Sequence, residues 1–570
     1  MIKMRRITLS ILFFACWVVP CHAQQRAIER IHISLDRTLY IAGERIWLSL
    51  YCFDLSGSRR LFSEVSSVAY VELRNDASLV SGVKLRIERG RGSGNISIPP
   101  SLPTGNYRLI AYTKQMLNEE TLVCFDKVIP IYNTLSSERL DGVMIAEESE
   151  AISQTHRNPL AVYSDSKYIE VEFGVGNKTL AKNASFPLRL KNLTHQGMTF
   201  SISVARSDLP ETETSSLQDF FANPRPDPAK IDFRPNFIPE YEGEIINGRI
   251  KNIREIEANT GSVFLSAIGK SVSIYSGPLD LSTGEFTFFT NSLFGNGEIA
   301  LEYLTPNEVS FELYDPFVKP PVPPVPPLYL DKRVESILSE RNIEMQISHR
   351  FGIDTLYESL PVHEDPFFSN TKPVVYLLDN YTRFPTMPDI MLEFIPEMRH
   401  RRVDGHSSFQ VLLSDWGWEW AFNDNSLTVI DGIPVFDHDI IKEYDPLKVK
   451  SLSIYQNRYR IGDNIFNGVA KFDTYLGNYP GLTLKKNALI IDYQGVQYPC
   501  RFTGYPLAAS KNLPDVRTLL YWDPQIVLGN GEGREIEIRT SSIQGSYTVV
   551  LEGVAFDGSS IYFRSSFTVE

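Results

Sequence analysis

Cysteine is scarce. The chain has 5 cysteines in 570 residues, and two of them, Cys16 and Cys21, lie within the first 23. Cys52, Cys124 and Cys500 are too few for a disulfide framework, and with the histidines they make no zinc-ligand spacing. Cys52 and Cys124 fall in one expected domain, where they either pair in an oxidising compartment or stand as separate core thiols. Basic runs are also missing. The formal net charge is -13, from 56 Lys and Arg against 69 Asp and Glu, and Arg399, Arg401 and Arg402 form only a local cluster. This argues against nucleic-acid binding, which needs a basic face. Beyond the first 23 residues there is no apolar run of about 18 residues, so no spanning helix is expected.

Signatures of catalysis are absent too: no His-Glu-x-x-His, no Gly-x-Ser-x-Gly and no phosphate loop. The glycine-rich run from Arg89 to Gly94 has no helix after it and reads as a hairpin turn. His363-Glu364-Asp365 and the set His400, Asp404 and His406 sit in polar sequence. They are expected as solvated loop rather than as a metal site or a metallohydrolase centre. No catalytic residue, metal or cofactor is expected, and the chain is read as not an enzyme.

What is present is strand-forming sequence, with 43% hydrophobic and 12% aromatic residues. Residues 1–23 read as an export signal: Lys3, Arg5 and Arg6, then Ile7 to Val19, then cleavage after Ala23. Lipid attachment at Cys16 or Cys21 fits less well, because Phe stands at a position wanting a small residue in one case and Pro20 directly precedes the cysteine in the other. Short alternating stretches separated by turns predict a β-sandwich over 24–133. A polar linker follows over 134–165, a second sandwich over 166–236 and a third over 237–318. Six prolines in 319–329 predict a stiff polyproline spacer. The next unit, 330–484, is read as a small α/β domain. Leu330, Val334, Ile337 and Leu338 predict one helix in it, and Ile390, Met391, Phe394 and Ile395 a second. A last sandwich is expected over 485–570. The fold class is thus mainly β, a string of Ig- or macroglobulin-like sandwiches with one α/β domain.

Several of these stretches resemble known families. Tyr40, Gly43, Glu44, Leu102, Pro103, Gly105, Tyr107, Arg108 and Tyr112 stand as in the second macroglobulin-type domain of the α2-macroglobulin superfamily. The Gly-Cys-Gly-Glu-Gln thioester stretch of that superfamily is missing, so covalent protease trapping is not implied. Gly243 to Ile250, with Gly284 to Phe288, is similar to a carboxypeptidase-regulatory or transthyretin-like sandwich. Ile430-Asp431-Gly432-x-Pro434, then Ser451 to Tyr455, then Gly462 with Asn467-Gly468-Val469, resembles the plug domain of TonB-dependent outer-membrane transporters. Only about 90 residues follow, too few for a transporter-sized barrel of strands of about 9–11 residues each. The order of modules is similar to multi-domain surface proteins of Bacteroidetes. What the resemblance implies is an exported protein, periplasmic or on the outer membrane or cell surface. Its expected partner is a protein, with an outer-membrane barrel protein the leading candidate.

One local feature stands apart. Asp415-Trp416-Gly417-Trp418-Glu419-Trp420 places three tryptophans at alternate positions, which on a strand would face one side. Such a stripe either packs on a neighbouring core or binds a partner or a sugar ring. Trp416, Trp418 and Trp420 are therefore the candidate interaction residues. Two readings stand: protein association in the envelope, or carbohydrate or peptide binding through the stripe.

Overall fold

The computed structural model describes residues 27–570 apart from 77, 121–122, 146–166, 175–178, 208–215, 224–225, 228–229, 256–260, 270–271, 292, 306, 319–322, 331–334, 354–356, 360–370, 415–420 and 503–513. The residues read as an export signal and most of those read as a polar linker lie outside the described residues. The molecule is mainly β and carries several sandwiches, as the alternation of its short strands requires. The inter-segment strand partners are what the sequence pattern does not reveal.

The first sandwich is a nine-stranded sheet wrapped around one core. Ile33, Leu48, Val71, Leu85, Leu109 and Ile129 fill that core and are nearly inaccessible. Strand Leu79–Glu88 runs into Arg91–Ser97 through Arg89 and Gly90, both at positive φ. This is the two-residue hairpin turn that the glycine-rich run predicts. Strand Arg45–Asp54 is buried on both faces over nearly its whole length, because its second face lies against another sandwich. Cys52 and Cys124 are unpaired: Cys52 is buried and Cys124 half-buried.

Segments 166–236 and 485–570, expected as two sandwiches, share one. Strands Ile169–Phe173 and Ser185–Asn192 form a sheet with Gly533–Arg539. Strand Met198–Arg206 is sandwiched between Leu519–Leu528 and Gly545–Ala555, with Ser560–Val569 beyond. Phe186, Phe200, Ile202, Ile526, Ile538 and Leu551 interleave in one core. Neither segment could cover its own apolar face, since each brings only part of each sheet.

The third sandwich is nested inside this one. Its sheets are Glu285–Phe289, Ile245–Ile250 and Phe311–Leu313 against Ser273–Pro278, Ser262–Ala267 and Asn296–Tyr303. Strand Ala488–Gln494, expected in the closing sandwich, joins its edge instead, pairing with Asn296–Tyr303. The α/β module is inserted in turn between Phe311–Leu313 and Ala488–Gln494.

The proline-rich run is not a free spacer where it is described. Polyproline II leaves its carbonyls unpaired, and the first sandwich supplies donors to them. Asn106 Nδ2 donates to the Pro326 and Pro327 oxygens at 3.0 and 3.1 Å, and Arg108 Nη2 to the Pro324 oxygen at 3.0 Å. Helix Glu335–Arg350 follows, close to where its apolar spacing predicts. It is clipped to the first sandwich by Arg341, whose Nε and Nη2 donate to Glu44 at 3.1 and 3.0 Å.

The shared sandwich yields a test. Leu551→Ala should destabilise it by about 2–5 kcal/mol. Hydrogen exchange should then rise together in Ser185–Asn192 and Gly533–Arg539. Loss of protection confined to residues beyond 514 would contradict a common core.

Candidate interaction site

The α/β module is built on a five-stranded sheet in the order Val374–Leu377, Val449–Ile461, Asn464–Thr474, Leu427–Ile430, Ile433–Val435. Strand Asn464–Thr474 runs on through Gly468, which takes φ 83° inside it. One face is covered by helices Met387–Phe394 and His438–Glu443 and by the hairpin Met398–Val403/His406–Leu413. Ile390, Phe409, Ile441, Leu452, Ile454 and Phe472 make that core. Thr386 caps the first helix through the Asp389 amide, which with its apolar spacing explains why a helix starts there.

Asp431 and Gly432 hold the module together and dock it. Both have positive φ, 46° and 91°, forming the tight turn between Leu427–Ile430 and Ile433–Val435. The buried Asp431 carboxylate accepts from Thr474 N and Oγ1 at 2.8 and 2.6 Å and from Tyr479 N at 2.7 Å. Its carbonyl accepts from Gly269 N of the third sandwich at 2.8 Å. A Cβ on Gly432 would stand 2.4 Å from the Ala267 oxygen, so only glycine permits this approach. The Ile-Asp-Gly-x-Pro motif is therefore a docking turn.

The opposite sheet face is half covered. Leu427, Val429, Phe466 and Val469 pack on Phe264, Val272 and Ile274 of the third sandwich, and the Phe264 and Phe436 rings lie 4.8 Å apart. The other half ends at edge strand Val374–Leu377. Among the described residues this strand is paired on one side only, with Val449–Ile461. Tyr376 points into the core, while Val375 and Leu377 are 54% and 49% exposed. Tyr475, whose hydroxyl donates to Asp379 just past the strand, and Leu476 extend the patch; Leu476 is 72% exposed. Sheet edges are ordinarily guarded by charge, proline or a cover; these outward positions carry apolar side chains.

The sequence candidates fall as follows. Trp416, Trp418 and Trp420 lie outside the described residues, as do His363, Glu364 and Asp365. The strands flanking the tryptophans, His406–Leu413 and Ala421–Phe422, pair antiparallel. The His400 ring lies tilted at 42° against Phe409, with centroids 5.0 Å apart, and burial lowers its pKa. His406 is exposed and pairs with Asp439 at 2.9 Å, while His438 accepts from the Phe409 amide at 2.9 Å. Among the described residues no three His, Cys, Asp or Glu side chains are arranged to hold a metal ion.

Sequence reasoning missed the charges buried between modules. Glu552 reaches from the shared sandwich into the first: His32 Nε2 lies 3.1 Å from Oε1, and Ser34 Oγ and the Leu217 amide also donate to it. Burial opposes its charge, but His32 and these donors hold its carboxyl below the usual range. Between the first and third sandwiches, Lys84 Nζ meets Glu244 Oε1 at 2.5 Å and Tyr493 donates to the same oxygen at 2.6 Å. Tyr70 donates to Glu240 Oε1 at 2.8 Å. Burial, reinforced by Glu244 and opposed by Lys114, the Ile245 amide and Tyr70, pushes the Glu240 carboxyl up to about 7. Nothing in the sequence marked Lys84, which alternates with Val83, Leu85 and Ile87 as an outward residue of a strand does.

No protein-family model and no curated protein sequence matches this chain. Among solved structures it is similar to Salmonella α-2-macroglobulin reacted with methylamine, at 9% identity and TM-score 0.23, over 95% of this chain and 39% of that one. It is similar to native E. coli α-2-macroglobulin at 9% identity and TM-score 0.24, over 96% and 40%. Dimeric latent PorU from Porphyromonas gingivalis aligns at 9% identity and TM-score 0.13, over 95% and 34%. The chain thus spans well under half the length of each. At such identity and superposition the likeness carries nothing about what the chain does.

Glu240 gives a pH test. Its pKa is raised in the folded protein, from 4.5 to about 7, so the folded state binds the extra proton in that window. Its contribution is fully present below the lower value, falls as pH rises through the window, and is lost above it. Glu240→Gln should flatten this part of the thermal-midpoint profile between about pH 5 and 8. An unchanged slope would show that another group sets it.

Proposed function

We propose that this is a non-enzymatic exported protein that associates with a protein partner through its α/β module, the partner being an outer-membrane barrel protein. The observation that carries this reading is the uncovered apolar edge at Val374–Leu377. A partner strand added there would gain main-chain hydrogen bonds along the free side and apolar contact with Val375 and Leu377, the mode called β-augmentation. The first sandwich and the two nested around the module would serve as its support, joined by buried ion pairs. Export rests on the N-terminal signal reading, and the non-enzymatic reading on the missing catalytic motifs together with the packing roles found for His400 and His438.

The test is affinity purification of the tagged protein from gently solubilised envelopes, comparing the native chain with Val375→Lys/Leu377→Lys. Both positions face outward, so the variant should fold with an unchanged melting temperature. A barrel protein should be recovered in stoichiometric amount with the native chain and fall at least about tenfold with the variant, the loss of roughly 1.4 kcal/mol of binding. Recovery of the protein alone, or equal recovery with both, would overturn the proposal.

A further inference from the structure

The buried ion pairs of this molecule are mostly guanidinium pairs. Arg30 meets Glu119, Arg74 meets Glu72, Arg341 meets Glu44 and Arg517 meets Asp515. A guanidinium keeps its proton and is no nucleophile. Lys84 with Glu244 is different. Both side chains are 1% exposed, and a lysine that gives up its proton is a nucleophile. The other lysine pairs among the described residues are at least partly exposed.

The pair is held still from both sides. Lys84 lies within strand Leu79–Glu88, and its carbonyl accepts from Gln497 N at 2.7 Å. The Glu244 carbonyl accepts from Thr290 N and Oγ1 at 3.0 and 2.8 Å. Lys84 Nζ stands 2.5 Å from Glu244 Oε1. At an ordinary hydrogen-bond angle this puts Nζ about 3–3.5 Å from the carboxyl carbon, the separation of a near-attack arrangement. Tyr493 donates to the same Oε1 at 2.6 Å, where a donor steadies negative charge building on that oxygen. Glu244 Oε2 is buried without a hydrogen-bond partner among the described residues, and so is Glu240 Oε2. Glu240 acts electrostatically on both Lys84 and Glu244. Burial lowers the Lys84 pKa against the pull of Glu244, and pushes the Glu240 carboxyl up to about 7.

We infer that Lys84 and Glu244 condense to an isopeptide bond, which joins the first and third sandwiches covalently. Lys84 first passes one proton to Glu244 Oε2, giving an amine and a carboxylic acid. Nζ then bonds to Glu244 Cδ, and Oε1 takes the negative charge beside Tyr493. Nζ gives up a second proton, which Glu240 relays to Oε2. The Cδ–Oε2 bond breaks and Oε2 leaves as water, with nothing oxidised or reduced. The closed core around the pair keeps out the water that would reverse the step.

The test is mass spectrometry of the denatured full chain and of its protease peptides. The native protein should yield a branched peptide joining the Lys84 and Glu244 segments. It should be lighter than the two together by one water, about 18 Da. Lys84→Met should give two linear peptides and no such loss. Glu240→Gln keeps the size of the side chain but cannot relay a proton. It should leave the chain largely unlinked, since acid–base relay contributes about 100-fold or more in rate, and its melting curve reports whether it folds. The peptide analysis of the native protein stands whether or not either variant does. Linear peptides alone from the native protein, the mark of a simple ion pair, would overturn the proposal. Complete linkage in a folded Glu240→Gln protein would overturn the role given to Glu240.

Discussion

A carboxylate with its partners on another stretch of chain recurs at the junctions between modules. Glu552 joins the shared sandwich to His32 and Ser34 of the first, Glu244 joins the third sandwich to Lys84 of the first, and Glu44 fixes helix Glu335–Arg350 through Arg341. Breaking such a pair by removing one member leaves an uncompensated buried charge, which is more damaging than losing a surface ion pair. The junctions are correspondingly specific. An apolar seam can slide, whereas Lys84 beside Glu244 accepts one register. The surplus of acids in this chain is put partly to this use.

This accounts for what was legible in the sequence and what was not. Alternation marked most of the long strands, and Asp431-Gly432 and Arg89-Gly90 marked two turns, because side-chain period and positive φ are local properties. Helices around Ile337 and Ile390 were visible for the same reason. Strand partnership is not local. Nothing in Phe186-Pro187-Leu188 says that Ile536 and Ile538 will lie opposite, so a half-sandwich at each end reads as two whole ones. The proline run reads as a stiff spacer, and nothing in it points to the donors that meet its carbonyls, Asn106 and Arg108, which lie more than 200 residues earlier. Of the candidate site, the docking turn was legible as a motif. The exposed edge was not, because Val374-Val375-Tyr376-Leu377 reads as a buried strand until its missing neighbour is seen.

Nesting also explains the placement of the open edge. The module is inserted into the third sandwich, which is inserted into the shared one, so both of its chain ends return to a support. A unit held at both ends loses less orientational freedom when it meets a partner than one on a single tether, and that loss is a main cost of association. Gly432 against the Ala267 oxygen adds a close backbone contact at that joint.

The shared sandwich has a consequence for how the protein is made. Strands Ser185–Asn192 and Met198–Arg206 complete their sheets with strands that leave the ribosome roughly 300 residues later, a delay of the order of 15–60 s at ordinary synthesis rates. Throughout that interval their apolar faces have no partner, and an unpaired edge rich in Phe, Leu and Ile is an aggregation template. The nested units can fold in the meantime and draw the two halves together. A chain built this way needs its early strands shielded until its last strands arrive.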